Sequence, residues 1–221
     1  SWRDRRGDFA YEVGLNVAHY KNKITSLPET VYYTFGAGNG VDITNVGLPY
    51  GAWLGYRTDG LFRTQQEVDD YKATYNVEIG APGVGRIRYR DLNGDKIINA
   101  SDREYLGSDQ PKLIAGLNLS ASYKGFDLSM FFNGMVRDAW NNSKFYTDFF
   151  PLWMGNHSTK LLDAVSAWQA YETTGVYSSD VPAVSAVDTN NEGRGSDYFI
   201  ENGSFVKLKT VTLGYTLPKP V

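Results

Sequence analysis

The segment "DLNGDKIINASD", Asp91 to Asp102, carries oxygen-bearing side chains at intervals that suit a cation. Calcium takes six to eight oxygen ligands, and a twelve-residue loop supplies them from positions 1, 3, 5, 7, 9 and 12. Here those positions are Asp91, Asn93, Asp95, Ile97, Asn99 and Asp102. Ile97 can offer only its backbone carbonyl, which is what position 7 does. Ile98, at position 8, is apolar and can anchor the loop to a core. The sixth position, where such loops carry glycine for a backbone of positive φ, is Lys96. The expectation is a structural calcium ion held by Asp91, Asn93, Asp95, Ile97 and Asp102, with Lys96 weakening it. The alternative is a solvated turn, since Asp, Asn and Gly favour turns by themselves.

The elements that must position this loop are read from composition and pattern. The chain has 221 residues, a net charge of −3 and no cysteine. A thiol nucleophile and a disulfide scaffold are therefore excluded. Lys and Arg are scattered, so no basic stripe offers itself to nucleic acid. No apolar run approaches the ~18 residues of a spanning helix. Sixteen Tyr, 11 Phe, 5 Trp and 23 Gly suit β-structure with many turns.

Four segments alternate with a period of two. Tyr11–Tyr20 places Tyr11, Val13, Leu15, Val17 and His19 on one face. Leu113–Lys124 places Leu113, Ala115, Leu117, Leu119, Ala121 and Tyr123 together, with Asn118 and Ser120 opposite. After a tight turn at Gly125, Phe126, Leu128, Met130, Phe132 and Val136 share a face. Ser204–Leu217 changes phase near Lys209-Thr210, which predicts a bulge. Between these strands lie two long excursions. Thr64 and Glu67 predict a capping box before a helix bearing Val68, Tyr71 and Tyr75. Asn156 or Ser158 would cap a second helix, with Leu161, Val165, Trp168 and Tyr171 as its apolar stripe. Tyr177–Arg194, rich in Ser, Asp, Asn and Gly, predicts a mobile loop.

Alternation of this kind suits a soluble β-sandwich, such as a calcium-dependent carbohydrate-binding module. It also suits a transmembrane β-barrel. Strands of about eleven residues cross a bilayer at a tilt, and tight turns at one end with long loops at the other are the barrel's arrangement. Tyr123, Phe126 and Tyr215 stand at turn-side strand ends, where an aromatic girdle belongs. A hydrolase is disfavoured. The acids of the loop are accounted for by a cation, and His19 and His157 sit in no visible triad.

The stretches "WRDRRGDFAYEVGLNVAHYKNKITSL", "LGYRTDGLFRTQQEV", "GRIRYRDLNGDKIINASDREYLG", "PKLIAGLNLSASYKGFDLSMFFNG" and "YFIENGSFVKLKTVTLGYTLPK" decide between these. In their order they resemble the C-terminal part of SusC/RagA-type TonB-dependent outer-membrane transporters. Lys96 departs from that pattern, which has glycine. The resemblance implies an all-β fold: antiparallel strands forming part of a transmembrane barrel, with short helices and the calcium-type loop in long connections. It implies that residues 1–221 are one piece of a larger barrel whose plug, TonB-contacting segment and other strands lie elsewhere, with 25–112 and 137–203 as extracellular loops. It implies no enzyme, but uptake of oligosaccharides or peptides across the outer membrane of Bacteroidetes-like bacteria. The implied partners are a SusD-like lipoprotein, the TonB complex and outer-membrane lipid. In that picture Trp53, Tyr56 and Trp153 are candidates for stacking on sugar rings, with loop packing as the alternative.

Overall fold

A computed structural model describes residues 1–28, 42–149 and 157–217. The chain divides into two compact units. One comprises Ser1–Lys23, Asp109–Ala139 and Asn202–Val221; the other comprises Ile24–Ser108 and Trp140–Glu201.

The first unit is a five-stranded sheet in which every pairing is antiparallel. Its strands run, in spatial order, Trp2–Arg6, Phe9–Ala18, Leu113–Tyr123, Phe126–Val136 and Phe205–Tyr215. The central hairpin pairs Leu113 with Val136 and Tyr123 with Phe126 without a slip. Its two-residue turn has Lys124 at φ 47° and Gly125 at φ 87°. That double left-handed turn matches the twist of the flanking strands, and at the second position only glycine adopts it without strain. The bulge falls where the phase change placed it. Phe131 faces Thr210 and Phe132 faces Leu208, so Lys209 is the extra residue.

Two strand readings are corrected. The second strand occupies Phe9–Ala18, two residues earlier than its alternation suggested. His19 lies beyond the ladder, where its Nδ1 is 2.6 Å from the Lys112 carbonyl. A fifth strand, Trp2–Arg6, went unread because five residues with four charges carry little apolar alternation. It forms one border of the sheet, where charged side chains are the usual device. Its Arg3 is held by Glu12 at 2.8 Å on the neighbouring strand.

The second unit gathers both long excursions around one aromatic-rich core. Phe62, Tyr71, Tyr89, Phe149, Tyr177 and Phe199 pack there with Ile87, Ile98 and Val68. Short strands frame it. Ala52–Tyr56 pairs with Asp42–Ile43 and Arg103–Ser108, Thr58–Leu61 with Ile87–Tyr89, and Asn76–Val77 with Ile97–Ile98.

The helix Gln65–Thr74 begins as expected, with Thr64 Oγ accepting from the Glu67 amide at 3.2 Å. Glu67 reaches back one residue further than a capping box requires and accepts from the Arg63 amide at 2.7 Å. The helix Lys160–Thr174 has Thr159 at its N-cap, with no side-chain cap bond. Ser158 Oγ instead accepts from the Lys160 amide at 3.3 Å, and Asn156 lies outside the described residues. Its buried face is Leu161, Ala164 and Ala167, whereas Val165 and Trp168 are each 39% exposed. The small alanines let this helix approach the core, so the larger side chains of the expected stripe stand at the margin.

The segment 177–194 is not the mobile loop its composition suggests. Tyr177, Ala183, Asn190 and Glu192 are buried. Its polar groups replace apolar packing with hydrogen bonds. Asn190 Nδ2 donates to the Ile87 carbonyl at 3.0 Å, and Asp188 accepts from the Glu192 amide at 2.8 Å.

Candidate functional site

On the border strand Trp2–Arg6, Asp4 and Arg6 fall on the apolar side, but across the other four strands of the sheet the two faces are chemically opposite. On one, register brings Leu15, Leu117, Phe132 and Leu208 into a row across four strands. The next row is Val13, Leu119, Met130 and Val211, and the next is Tyr11, Ala121, Leu128 and Leu213. This face is not buried. Leu15 is 63% exposed, Val206 78% and Leu213 72%. A water-soluble sandwich covers such a face with a second sheet, and a contiguous apolar patch left open marks contact with lipid or a partner.

The turn-side end of this face is closed by aromatics. Phe9 pairs with Tyr123, Tyr123 with Phe126, and Phe126 with Tyr215. The Phe126 and Tyr215 rings lie 4.5 Å apart, and Trp2 sits edge-on to Tyr11 at 5.4 Å. Aromatic rings ranked across neighbouring strands at one height suit a membrane–water boundary, with an apolar body on one side and a polar tip on the other. Eleven residues at about 3.4 Å each, tilted by roughly 45°, span about 26 Å, close to the apolar band of membrane barrels.

The opposite face is polar. One row runs Arg3, Glu12, Ser120, Ser129 and Thr212; the next toward the turns runs Arg5, Ala10, Ser122, Asp127 and Gly214. Phe131 departs from this and lies over Gly116, where an added Cβ would come 3.4 Å from the ring, and at the end away from the turns Ile114, Met135 and Phe205 form an apolar row on the same face.

The predicted metal residues are brought together as a loop. Lys96 has φ 65°, the left-handed backbone expected at position 6. Ile98 is fully buried and anchors the loop through the pairing with Asn76–Val77. The side chains serve the loop's own amides. Asp91 accepts from Gly94 at 2.7 Å and Lys96 at 2.9 Å, and Asp95 accepts from Ile97 at 2.7 Å. Asp102, fully buried, accepts from Leu92 at 2.9 Å and Asn99 at 2.8 Å. Asn99 caps the short 3₁₀ turn Ala100–Asp102. Among the described residues no three Asp, Glu or His side chains gather as a metal requires. The backbone thus fits a calcium loop, while the side chains as placed fit the amides rather than an ion.

The expected stacking residues fare differently. Trp53 and Tyr56 are 4% and 7% exposed, so neither offers a free ring face to a sugar. Trp53 packs on Trp140 at 5.9 Å and Tyr56 on Tyr89 at 5.5 Å. The Arg194 guanidinium lies over the rings of Tyr56 and Tyr89. They are loop packing, the alternative reading of these aromatics. Trp153 lies outside the described residues.

The polar knot of the second unit was not found from sequence. Glu192, 1% exposed, accepts from the Ile87 amide at 2.8 Å and from Asn190 at 3.3 Å, and pairs with Arg86 at 3.2 Å. Burial raises the Glu192 carboxyl above its ordinary range, and Arg86 and the donors oppose that rise. A turn-rich composition hides such a residue, because its partner lies over a hundred positions away. Burial also pushes the Tyr177 hydroxyl up to about 12.

No family model matches the chain. Curated relatives do. The TonB-dependent receptor P26 of Formosa agariphila is 29% identical over 220 residues, 97% of this chain and 21% of that protein. The TonB-dependent receptor SusC of Bacteroides thetaiotaomicron is 27% identical over 215 residues, 95% of this chain and 19% of that protein. Among solved structures, the RagAB peptide importer in its closed-closed state matches with TM-score 0.66 and 22% identity, over 97% of this chain and 22% of that one. A second structure of the RagAB peptide transporter matches with TM-score 0.67 and 22% identity, over 98% of this chain and 21% of that one. The resemblance to SusC/RagA-type transporters therefore holds along nearly the whole chain, in sequence and in fold. The chain spans about a fifth of the length of the relatives it matches.

Proposed function

We propose that this chain is part of the barrel wall of an outer-membrane TonB-dependent transporter that imports large nutrients, oligosaccharides or peptides, together with a SusD-like lipoprotein. The observation that carries the reading is the open apolar face, bounded at its turn side by the aromatic row. Water does not tolerate such a face, and lipid does. The polar face, with its row of Arg3, Glu12, Ser120, Ser129 and Thr212, then lines the lumen. The relatives, named as receptors and importers, support transport over catalysis. The TonB complex and the plug would act through parts of the protein beyond these residues. In this reading the second unit forms the extracellular side and the tight turns point to the periplasm.

The competing module, soluble and calcium-dependent, would bury the oily face. The test sets the two faces against each other in the full-length transporter. Leu119→Arg puts a charge in the lipid at mid-strand and should cost roughly 2–4 kcal/mol, lowering the amount of assembled barrel. Ser120→Arg should assemble normally and change uptake of the cognate nutrient instead. Normal assembly of Leu119→Arg with loss of Ser120→Arg would invert the faces and favour the soluble module.

Calcium in loop 91–102 is a separate proposal. It is supported by the register of Asp91, Asn93, Asp95, Ile97 and Asp102 and by the left-handed Lys96. It requires Asp91 and Asp95 to share oxygens between amides and ion. Calorimetric titration should show one calcium site that Asp95→Asn removes. Absence of binding heat would leave the loop as a network of amide bonds alone.

A further inference from the structure

Trp53 and Tyr56 turn no ring face outward, but an aromatic on the polar face of the sheet does. Phe131 stands between Asn118 and Thr210 on its two neighbouring strands. Its side chain does not project straight out. The ring edge, Cε2 and Cζ, lies 3.4 and 3.7 Å from where a Cβ on Gly116 would be, so the ring is folded down diagonally across the next strand. One ring face rests on the sheet and the other is turned away from it, which leaves Phe131 half-buried. One strand further on, Gly14 faces Asn118 and Asn16 faces Gly116. The two glycines leave the floor beside the ring bare. The result is a trough of about 520 Å³ lined by Phe131, Asn16, Asn118 and Thr210, with Glu12, Ser120 and Ser129 toward the turns. Such a volume is that of an ordinary small-ligand site. Among the described residues, none hydrogen-bonds the side chains of Asn16, Asn118 or Thr210, so two amides and a hydroxyl remain available as donors and acceptors. Glu12 is the one ionisable side chain among the described residues of the lining, and Arg3 neutralises it at 2.8 Å.

We infer that this trough is a subsite for a neutral hexose ring of an oligosaccharide moving along the lumen wall, with Phe131 as its platform. The inference rests on the barrel-wall reading and gives the cargo a contact on the wall itself. A pyranose has an apolar C–H face, which the outward face of Phe131 covers. It also has a rim of hydroxyls, which Asn16, Asn118 and Thr210 meet from two sides of the ring. The lack of unpaired charge selects against acidic sugars. The main chain selects against a peptide. Leu113–Tyr123 and Phe126–Val136 are each paired along both edges, so they keep no backbone groups for an extended peptide to pair with.

The experiment uses the full-length transporter in detergent, titrated calorimetrically with maltoheptaose, cellohexaose, laminarihexaose and mannohexaose, and with an end-blocked alanine peptide. The parent should bind at least one of the oligosaccharides. Phe131→Leu keeps an apolar side chain over Gly116 but removes the ring face, and should weaken that binding roughly fivefold. Phe131→Tyr keeps the face and should bind as the parent does. Asn118→Ala removes one amide at an exposed position and should weaken binding roughly threefold; it decides the matter alone if Phe131→Leu does not assemble. Binding of the peptide with none of the oligosaccharides overturns the inference, and so does binding of neither. Equal affinity in the parent and Phe131→Leu also overturns it, because the ring then packs against another part of the barrel. Assembly is scored separately by heat-modifiable migration on gels. Failure of the barrel-wall reading shows as Leu119→Arg assembling normally, whereas failure of the subsite leaves that result as expected and the affinities of the variants unchanged.

Discussion

Glu192 is a buried carboxylate of the second unit. Its carboxylate answers three donors, two of them, Ile87 and Arg86, from residues far away in sequence and one from nearby Asn190, and Arg86 is largely buried. Glu192→Ala strands those donors and should cost about 3–5 kcal/mol, the usual result of removing one partner from a buried ion pair. Glu192→Gln keeps an acceptor for the Ile87 amide and should cost less. Denaturant unfolding of both variants checks the order. Tyr177 gives a pH dependence. Its hydroxyl is raised from 10.0 to about 12 in the folded chain, so the unfolded chain releases that proton first. Its contribution is complete below about pH 10 and is lost as pH rises toward 12, which Tyr177→Phe should blunt in alkaline unfolding. Lys96 is the reverse case, a side chain that costs stability. Its φ of 65° suits glycine, so Lys96→Gly should raise stability by about 0.5–1 kcal/mol, with or without calcium.

Strands and helices differ in how far their sequences announce them. The hairpin Leu113–Val136 was legible to the residue, because its apolar side chains alternate without a break and its turn is marked by glycine. The bulge was legible as a phase change, and it carries a prediction. Lys209 is the one residue without a place in the alternation. Deleting it keeps Val206, Leu208, Val211 and Leu213 on the oily face, and the barrel should still assemble. Deleting Thr212 turns Leu213 and Tyr215 to the polar face, and assembled barrel should fall sharply. Heat-modifiable migration on gels distinguishes the two. Helix Gln65–Thr74 was legible from its cap, and Thr64→Ala should cost about 1 kcal/mol, read as a fall in thermal stability of the second unit. The buried face of Lys160–Thr174 was misread. Trp168 and Val165 looked like core by type, yet alanines sit deepest because they allow the closest approach.

At the scale of the whole molecule, the long excursions are not separate loops. Residues 24–108 and 140–201 form one compact unit with one core. The proposed orientation puts that unit outside the cell and the tight turns inside. A cysteine at Val187, which is 62% exposed, should therefore react with an impermeant maleimide on intact cells. One at Asp8 should react only after the outer membrane is opened. The reverse pattern would overturn the orientation. Asn190, in the same polar stretch, is unsuitable as a reporter because it is 1% exposed.

Alternation and turn residues were enough to specify four strands, their alternating faces and the central hairpin, since each depends on neighbours within a few positions, but not the pairing of Phe9–Ala18 with Leu113–Tyr123. The ordered motifs were enough for the family resemblance. They also placed the left-handed backbone at Lys96. The sequence could not show that Trp2–Arg6 is a strand, because that depends on Phe9–Ala18 being present to pair with it. Nor could it show that Trp53 and Tyr56 are buried, or that Glu192 is held by Arg86 and Ile87. Those facts follow from contacts between segments separated by tens of residues or more. Burial is a property of what surrounds a side chain, and only the folded chain brings those surroundings together.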